Sequence, residues 1–165
     1  MPTLYFICGL PCSGKTTYAK RLEREVCALR LTPDEWHTQL FGHDVLEDEH
    51  HTRHDLIESL LLTVAERVLA LDRDVILDFG FWIKREREDL RAWAVERGVR
   101  TEFHFLEVSQ EALFERLAGR NAALPGGASR IPKSLMKAWL PLFEPPDLSE
   151  LETYDAHLYL CPLLR

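Results

Sequence analysis

The sequence predicts an α/β fold in which a parallel β-sheet carries helices on both faces. Three observations lead there. Short continuous apolar runs alternate with helical stretches along the chain, the pattern of strands buried on both sides and joined by crossover helices. A glycine-containing turn of fixed spacing follows the first of these runs and opens the first helix. The chain has 165 residues, 46% of them hydrophobic and 28% charged. That is enough for one domain to bury roughly 70% of its unfolded surface without disulfide staples. Residues 1–165 are therefore expected to form a single domain.

Leu4-Tyr5-Phe6-Ile7-Cys8 is the first buried strand. Residues 14–26 read as a helix and 28–31 as a short second strand. Thr32-Pro33-Asp34-Glu35 has the form of a helix start, with Thr32 as cap, Pro33 at the first position and Glu35 closing a capping box. Leu56, Ile57, Leu60, Leu61, Val64, Val68 and Leu71 recur at helical spacing and predict a long amphipathic helix. Asp72-Arg73-Asp74 closes it, and Val75-Ile76-Leu77 is the third strand. A helix over 83–97 ends at Gly98. Val99, Thr101, Phe103 and Phe105 share one side of a fourth strand, and Ser109 caps a helix running to about Arg120. Residues 121–129 contain Pro125-Gly126-Gly127 and read as a loop. A short helix over 135–142 and a fifth strand over 156–160 complete the series.

Composition narrows the function. The chain carries 20 Lys+Arg against 27 Asp+Glu, a formal charge of -7. A general nucleic-acid coat needs phosphate-neutralising cations and is disfavoured. No apolar run reaches the ~18–20 residues of a membrane span, so no membrane partner is expected. The first ten residues lack a basic leader and a cleavage site. Cys8, Cys12, Cys27 and Cys161 form no C-x-x-C pair, so reduced thiols and a cytoplasmic location are expected.

Gly9-Leu10-Pro11-Cys12-Ser13-Gly14-Lys15-Thr16 fits G-x-x-x-x-G-K-[ST], placed between a buried strand and a helix. This is the phosphate loop of the P-loop NTPase fold. Gly9 and Gly14 permit backbone angles that side chains obstruct. The loop amides then turn toward phosphate oxygens, and the helix dipole adds positive potential. Cys12, Ser13 and Thr17 complete the expected nucleotide contacts. Lys15 is expected on the β- and γ-phosphates, and Thr16 on Mg2+. Cys12, near a helix N-terminus, is expected to have a lowered thiol pKa. The cofactors implied are ATP and Mg2+.

Three absences select among P-loop proteins. Asn121 is the only asparagine and Ala122 follows it, so the guanine-reading N-K-x-D is missing. Asp78 is followed by Phe79 and Gly80, not by the water-activating glutamate of hydrolytic ATPases. The length leaves no accessory motor domain. A small kinase is the expectation. It needs a carboxylate beside the acceptor hydroxyl, and Asp34, just past the second strand, is the candidate base. Asp78 ends the third strand and is expected to hold Mg2+ through water or to bind substrate. Trp36, Phe81 and Trp82 are candidate walls of the acceptor pocket. Arg87 shares a helical stripe with Ile83, Leu90 and Ala94; a substrate anion or an acidic neighbour would explain a cation there. Arg116 and Arg120 share a helix face and lead into a lid expected over about 119–132, with Arg130 beyond; such arginines neutralise a transferring phosphoryl group. His50 and His54, spaced i, i+4 beside His43, Asp44, Asp48 and His51, have a spacing that can chelate zinc; acceptor recognition is the reading preferred for this stretch.

The phosphate loop, Leu31-Thr32-Pro33-Asp34-Glu35-Trp36, Val75-Ile76-Leu77-Asp78-Phe79-Gly80-Phe81-Trp82 with Glu86-Arg87, and the Arg116/Arg120 pair together resemble the AAA_33-type P-loop kinases. That group is similar to zeta toxins, chloramphenicol phosphotransferase and the kinase domain of polynucleotide kinase. The resemblance runs from Thr3 to about Pro146. It implies a sheet order of 2-3-1-4-5, a nucleotide site at Lys15 and Thr16, and an acceptor-activating role for Asp34. Polynucleotide kinases carry an arginine shortly after that aspartate. Here Trp36, His37 and Thr38 stand instead, which favours a smaller, less anionic acceptor, antibiotics among the possibilities. The expected activity is transfer of the γ-phosphoryl of ATP to a small-molecule hydroxyl. The alternatives are a 5′-hydroxyl polynucleotide kinase and a nucleotide-binding switch without transfer chemistry.

Overall fold

The computed structural model describes residues 1–42, 44–123 and 131–161. His43, Arg130 and the 124–130 part of the expected lid lie outside the described residues. Five strands form one sheet: β1 (Thr3–Cys8), β2 (Leu29–Leu31), β3 (Val75–Gly80), β4 (Arg100–Leu106) and β5 (Ala156–Leu160). All the pairings are parallel and the order is β2-β3-β1-β4-β5. This is the expected order.

The helices are α1 (Lys15–Val26), α2 (Pro33–Phe41), α3 (His50–Ala70), α4 (Lys84–Glu96), α5 (Gln110–Ala123), α6 (Lys133–Trp139) and α7 (Leu148–Leu151). The period-two geometry of β1 divides the core. Leu4, Phe6 and Cys8 face a cluster that includes Ile57, Leu61 and Ala94, from α3 and α4; Tyr5 and Ile7 face Ala19 and Leu22 of α1. Strand β1 is buried throughout. Each such large apolar side chain contributes roughly 1.5–3 kcal/mol when fully buried.

Several expectations require correction. On α3 the buried stripe is Ile57, Leu61, Ala65 and Leu69, while Leu56, Leu60, Val64 and Leu71 are exposed. The stripe one residue later, at i, i+4 spacing, is the one that packs into the core cluster against the sheet. Thr32 precedes α2 as expected, but its side chain caps nothing. The hydroxyl instead donates to Asp78 Oδ2 at 3.1 Å, and Glu35 pairs with Arg30 and Lys20. The helix expected over 135–142 begins at Lys133 and tightens into a 3-10 turn over Leu140–Leu142, where Pro141 supplies no amide hydrogen. Helix α7 was not foreseen. Asp147 caps it, accepting from the Glu150 amide at 2.8 Å. Ser109 does cap α5, accepting from the Ala112 amide at 3.3 Å.

Candidate functional site

The β1–α1 turn lies at the carboxyl end of the sheet, where parallel α/β folds bind ligands. Gly9 has φ 153°, and a Cβ there would meet the Leu106 carbonyl and Ser13 Oγ, each at 2.9 Å. The loop can close over itself only with glycine at that position. The Gly9 amide donates to the Gly80 carbonyl at 3.0 Å, which ties the loop to the end of β3. Gly14 caps α1 at φ 95°. Arg116 of α5 donates to the Ser13 carbonyl at 3.0 Å. It thus holds the outside of the loop, one turn before Arg120.

Lys15 Nζ donates to the Leu10 carbonyl at 2.9 Å, spanning the mouth of the loop. Burial lowers its pKa, and the carboxylates of Asp78 and Asp34 oppose that shift. Thr16 Oγ1 donates to Asp78 Oδ2 at 2.7 Å. Asp78 is buried, and burial, aided by Asp34, raises its pKa against the pull of Thr16, Lys15 and Thr32. Its second oxygen, Oδ1, is a buried acceptor without a hydrogen-bond partner among the described residues.

A groove of about 1340 Å³ runs outward from Lys15 and Asp78. On α2, Asp34, His37 and Thr38 line it; Phe79, Phe81 and Trp82 form its floor; α3, α4, Trp139 and Arg120 bound the rest. The structure brings Lys15, Thr16, Asp34, Asp78 and Arg120 to the same end of the molecule. Thr17 lies on the exposed side of the first turn of α1.

Two expected site assignments, Trp36 and Arg87, and the expected pKa direction of Cys12 are corrected. Trp36 is absent from the groove wall and 49% exposed, because α2 turns Asp34, His37 and Thr38 inward and leaves residue 36 on the opposite face. Arg87 is fully buried and holds Glu150 of α7 with two hydrogen bonds, 2.5 and 2.9 Å. Its Nη1 also donates to the carbonyls of Phe81 (3.0 Å) and Glu144 (2.9 Å). It answers to an acidic neighbour, not to a substrate anion. Those bonds brace the turn after β3, where Gly80 (φ 92°) and Phe81 (φ 51°) both occupy the left-handed region. Cys12 is half-buried, and burial raises its pKa more than Arg120, Lys15 and Arg116 lower it. Helix α1 begins three residues later, at Lys15.

Further residues line the groove, with Asp55, Glu58, Trp93 and Trp139 among those the sequence reading missed. Asp55 and Glu58 of α3 face Glu86 of α4, whose pKa is raised by burial and then by Glu58 and Asp55. Trp93 and Trp139 add aromatic wall. Asp44 accepts from His37 Nε2 (2.6 Å), His50 Nδ1 (2.7 Å) and Arg53 Nη1 (2.7 Å). His37 could have been found from its spacing: it is three residues from Asp34 on the same helix face.

A family model described as AAA domain, AAA_33, matches residues 4–146. The chain belongs to this family. No curated protein matches it. Among solved structures, a candidate kinase from Chloroflexus aurantiacus superposes with a TM-score of 0.75 at 19% identity, covering 97% of this chain and 85% of that one. Chaetomium thermophilum Kti12 in complex with ADP-AlF3 gives 0.71 at 20%, covering 96% and 88%. A gluconokinase from Sinorhizobium meliloti gives 0.59 at 21%, covering 96% and 82%. These likenesses establish the α/β P-loop kinase-like fold. Among the described residues no helix is long and apolar enough to cross a membrane.

Proposed function

We propose that this AAA_33 member is an ATP-dependent phosphotransferase that moves the γ-phosphoryl group to a hydroxyl of a small molecule. The observation that carries the reading is the convergence of Lys15, Asp78 and Asp34 on one groove. The loop amides and Lys15 would bind the triphosphate, with Arg116 holding the loop carbonyls from behind. Thr16 and Asp78 would hold Mg2+; their hydroxyl–carboxylate contact and the orphaned Asp78 Oδ1 suit a hard cation and its waters. Bound there, Mg2+ would supply charge neutralisation for the transferring group. Asp34 orients the acceptor oxygen and takes its proton, and Arg120 offsets the charge developing on the phosphoryl oxygens.

The groove also speaks to the acceptor. Among its described lining residues the only lysine or arginine side chains are Lys15 and Arg120, both at the phosphate end. The far end presents Asp55, Glu58 and Glu86 beside Trp82 and Trp93. A polyanionic strand would meet like charge there without lysine or arginine counter-charges among the described lining residues, which weighs against an oligonucleotide. A neutral or amine-bearing alcohol, stacked on the indoles, fits better.

The test is incubation with γ-labelled ATP, Mg2+ and separate pools of sugars, amino alcohols, antibiotics and 5′-hydroxyl oligonucleotides. Label recovered in a small-molecule phosphate ester is the expected result. Label only at oligonucleotide ends, or no transfer to any pool above the Asp34→Asn background, would overturn it.

A further inference from the structure

In the wall of the acceptor groove, where α2 meets α3, three side chains converge in a way that the proposed phosphoryl transfer does not use. His37 Nε2, Asp44 Oδ1 and His50 Nδ1 all lie within 4.8 Å of one another. Both imidazole nitrogens point at the same carboxylate oxygen, at 2.6 and 2.7 Å. We propose that His37, Asp44 and His50 form a binding site for a divalent transition metal of the zinc class, separate from the magnesium position at Thr16 and Asp78.

Four features support the assignment. The donor set is two nitrogens and one oxygen, which suits zinc and its neighbours and is a poor match for Mg2+, which prefers oxygen. Asp44 divides its oxygens: Oδ1 faces the imidazoles, while Oδ2 is fixed by Arg53 Nη1 at 2.7 Å. A carboxylate so held is oriented for a monodentate bond, the usual service of the outer hydrogen bonds around a metal. The histidine rings are packed together, His37 against His50 at 4.5 Å and against His54 at 5.6 Å between centroids. Packing of this kind fixes both the His37 and His50 rings beside the one carboxylate oxygen they share. Finally, His37 and Asp44 are buried, while the His50 side chain is 21% exposed and leaves an approach for the ion.

Zinc bonds of roughly 2.0–2.2 Å require each imidazole nitrogen to move away from Asp44 Oδ1 by less than about 1 Å from its hydrogen-bonded spacing. The two imidazole N–H hydrogens now shared with Asp44 would be displaced to the ring's other nitrogen or to solvent. His54, four residues beyond His50, is not in this set. Its Nε2 turns to Glu58 Oε1 at 3.4 Å, so the i, i+4 pair singled out in the sequence is replaced by a site spanning two helices and the segment between them. A metal there would pin α2, and with it Asp34, to α3.

The test uses the full chain without a histidine tag, stripped with chelator and dialysed against zinc, with no nucleotide present. Bound metal is measured by elemental analysis and affinity by competition with a chromogenic chelator. The expected result is one zinc per chain, undiminished by excess Mg2+, with a rise in Tm. A visible ligand-field spectrum should appear on Co2+ substitution. His50→Gln, a change at the partly exposed member, should fold normally and weaken binding at least tenfold, as should His37→Gln, while His51→Gln should bind like the parent. Substoichiometric zinc, equal affinity in the parent and His50→Gln, or loss of binding on alkylation of the exposed cysteines Cys27 and Cys161 would overturn the site. Because no step involves ATP, failure here leaves the phosphotransferase reading untouched, and failure of that reading leaves this one standing.

Discussion

Asp34 and Cys12 show how much one residue's surroundings decide. Asp34 opens α2 at the groove rim, and its carboxylate is felt electrostatically by Lys15 across the site. Asp34→Asn keeps the shape and removes the proton acceptor. Turnover should fall by ~10²–10⁴, the usual range for a general base, with ATP affinity within a few-fold of the parent. Steady-state kinetics with equilibrium nucleotide binding checks both halves. A parallel loss of ATP affinity would make Asp34 part of the nucleotide site instead. Cys12 has the opposite lesson. Proximity to a helix start suggested an acidic thiol, yet burial outweighs the neighbouring cations and raises its pKa. The thiolate fraction at neutral pH is therefore smaller than for a free cysteine, and alkylation at pH 7 should be slower than that of a model thiol. Rapid alkylation at pH 7 that ATP blocks would contradict this.

At the scale of elements, α4 and α7 are joined by a buried ion pair. The side chains of Arg87 and Glu150 are 0% and 3% exposed. Removing one partner leaves an unpaired buried charge, a loss of about 3–5 kcal/mol. Arg87→Ala should lower the denaturant midpoint accordingly and loosen the Gly80–Phe81 turn that carries the groove floor. Joint replacement of Arg87 and Glu150 by Met and Leu should recover much of the loss, and a double-mutant cycle reads the difference. The joint between α2 and α3 turns on Asp44. Burial would raise its pKa, but hydrogen bonds from His50, Arg53 and His37 outweigh it and hold the carboxyl well below the ordinary range. Its contribution is complete above the unfolded value near ~3.9 and fades as pH falls below it. The stability gap between the parent and Asp44→Asn should be widest at neutral pH and shrink under acid, measured by denaturation at a series of pH values. A gap independent of pH would show that Asp44 acts by packing alone.

These elements also show what was legible in the sequence. The β-strands announced themselves because both faces of β1 and β3 are buried, so apolar runs are continuous. The phosphate loop was legible because its glycines answer a local steric demand. The role of Glu150 and the pairing of Asp44 with His37 and Arg53 were not, since these partners lie 63, 7 and 9 residues away and are chosen by the packing of helices. Arg87 was placed on the buried face of its helix from spacing alone, but its counter-charge sits on a helix too short to leave a periodic signal. Trp36 was misread because aromatic character says nothing of which face of α2 meets the groove.

For the whole molecule, the order β2-β3-β1-β4-β5 brings the ends of β1, β2 and β3 together, so the phosphate loop, Asp34 and Asp78 converge although 62 residues separate Thr16 from Asp78. From α5, Arg116 holds the loop at the Ser13 carbonyl and Arg120 lines the groove. The resulting groove is cationic where a triphosphate would lie and acidic where the acceptor would enter. A loop of this build should grip ATP independently of the acceptor chemistry. Calorimetric titration of ATP with Mg2+ into the parent, Lys15→Ala and Asp34→Asn tests it most directly. One ATP per chain, with at least tenfold weaker binding in Lys15→Ala and near-parent binding in Asp34→Asn, is the predicted result; ATP affinity unchanged by loss of the Lys15 side chain would contradict it.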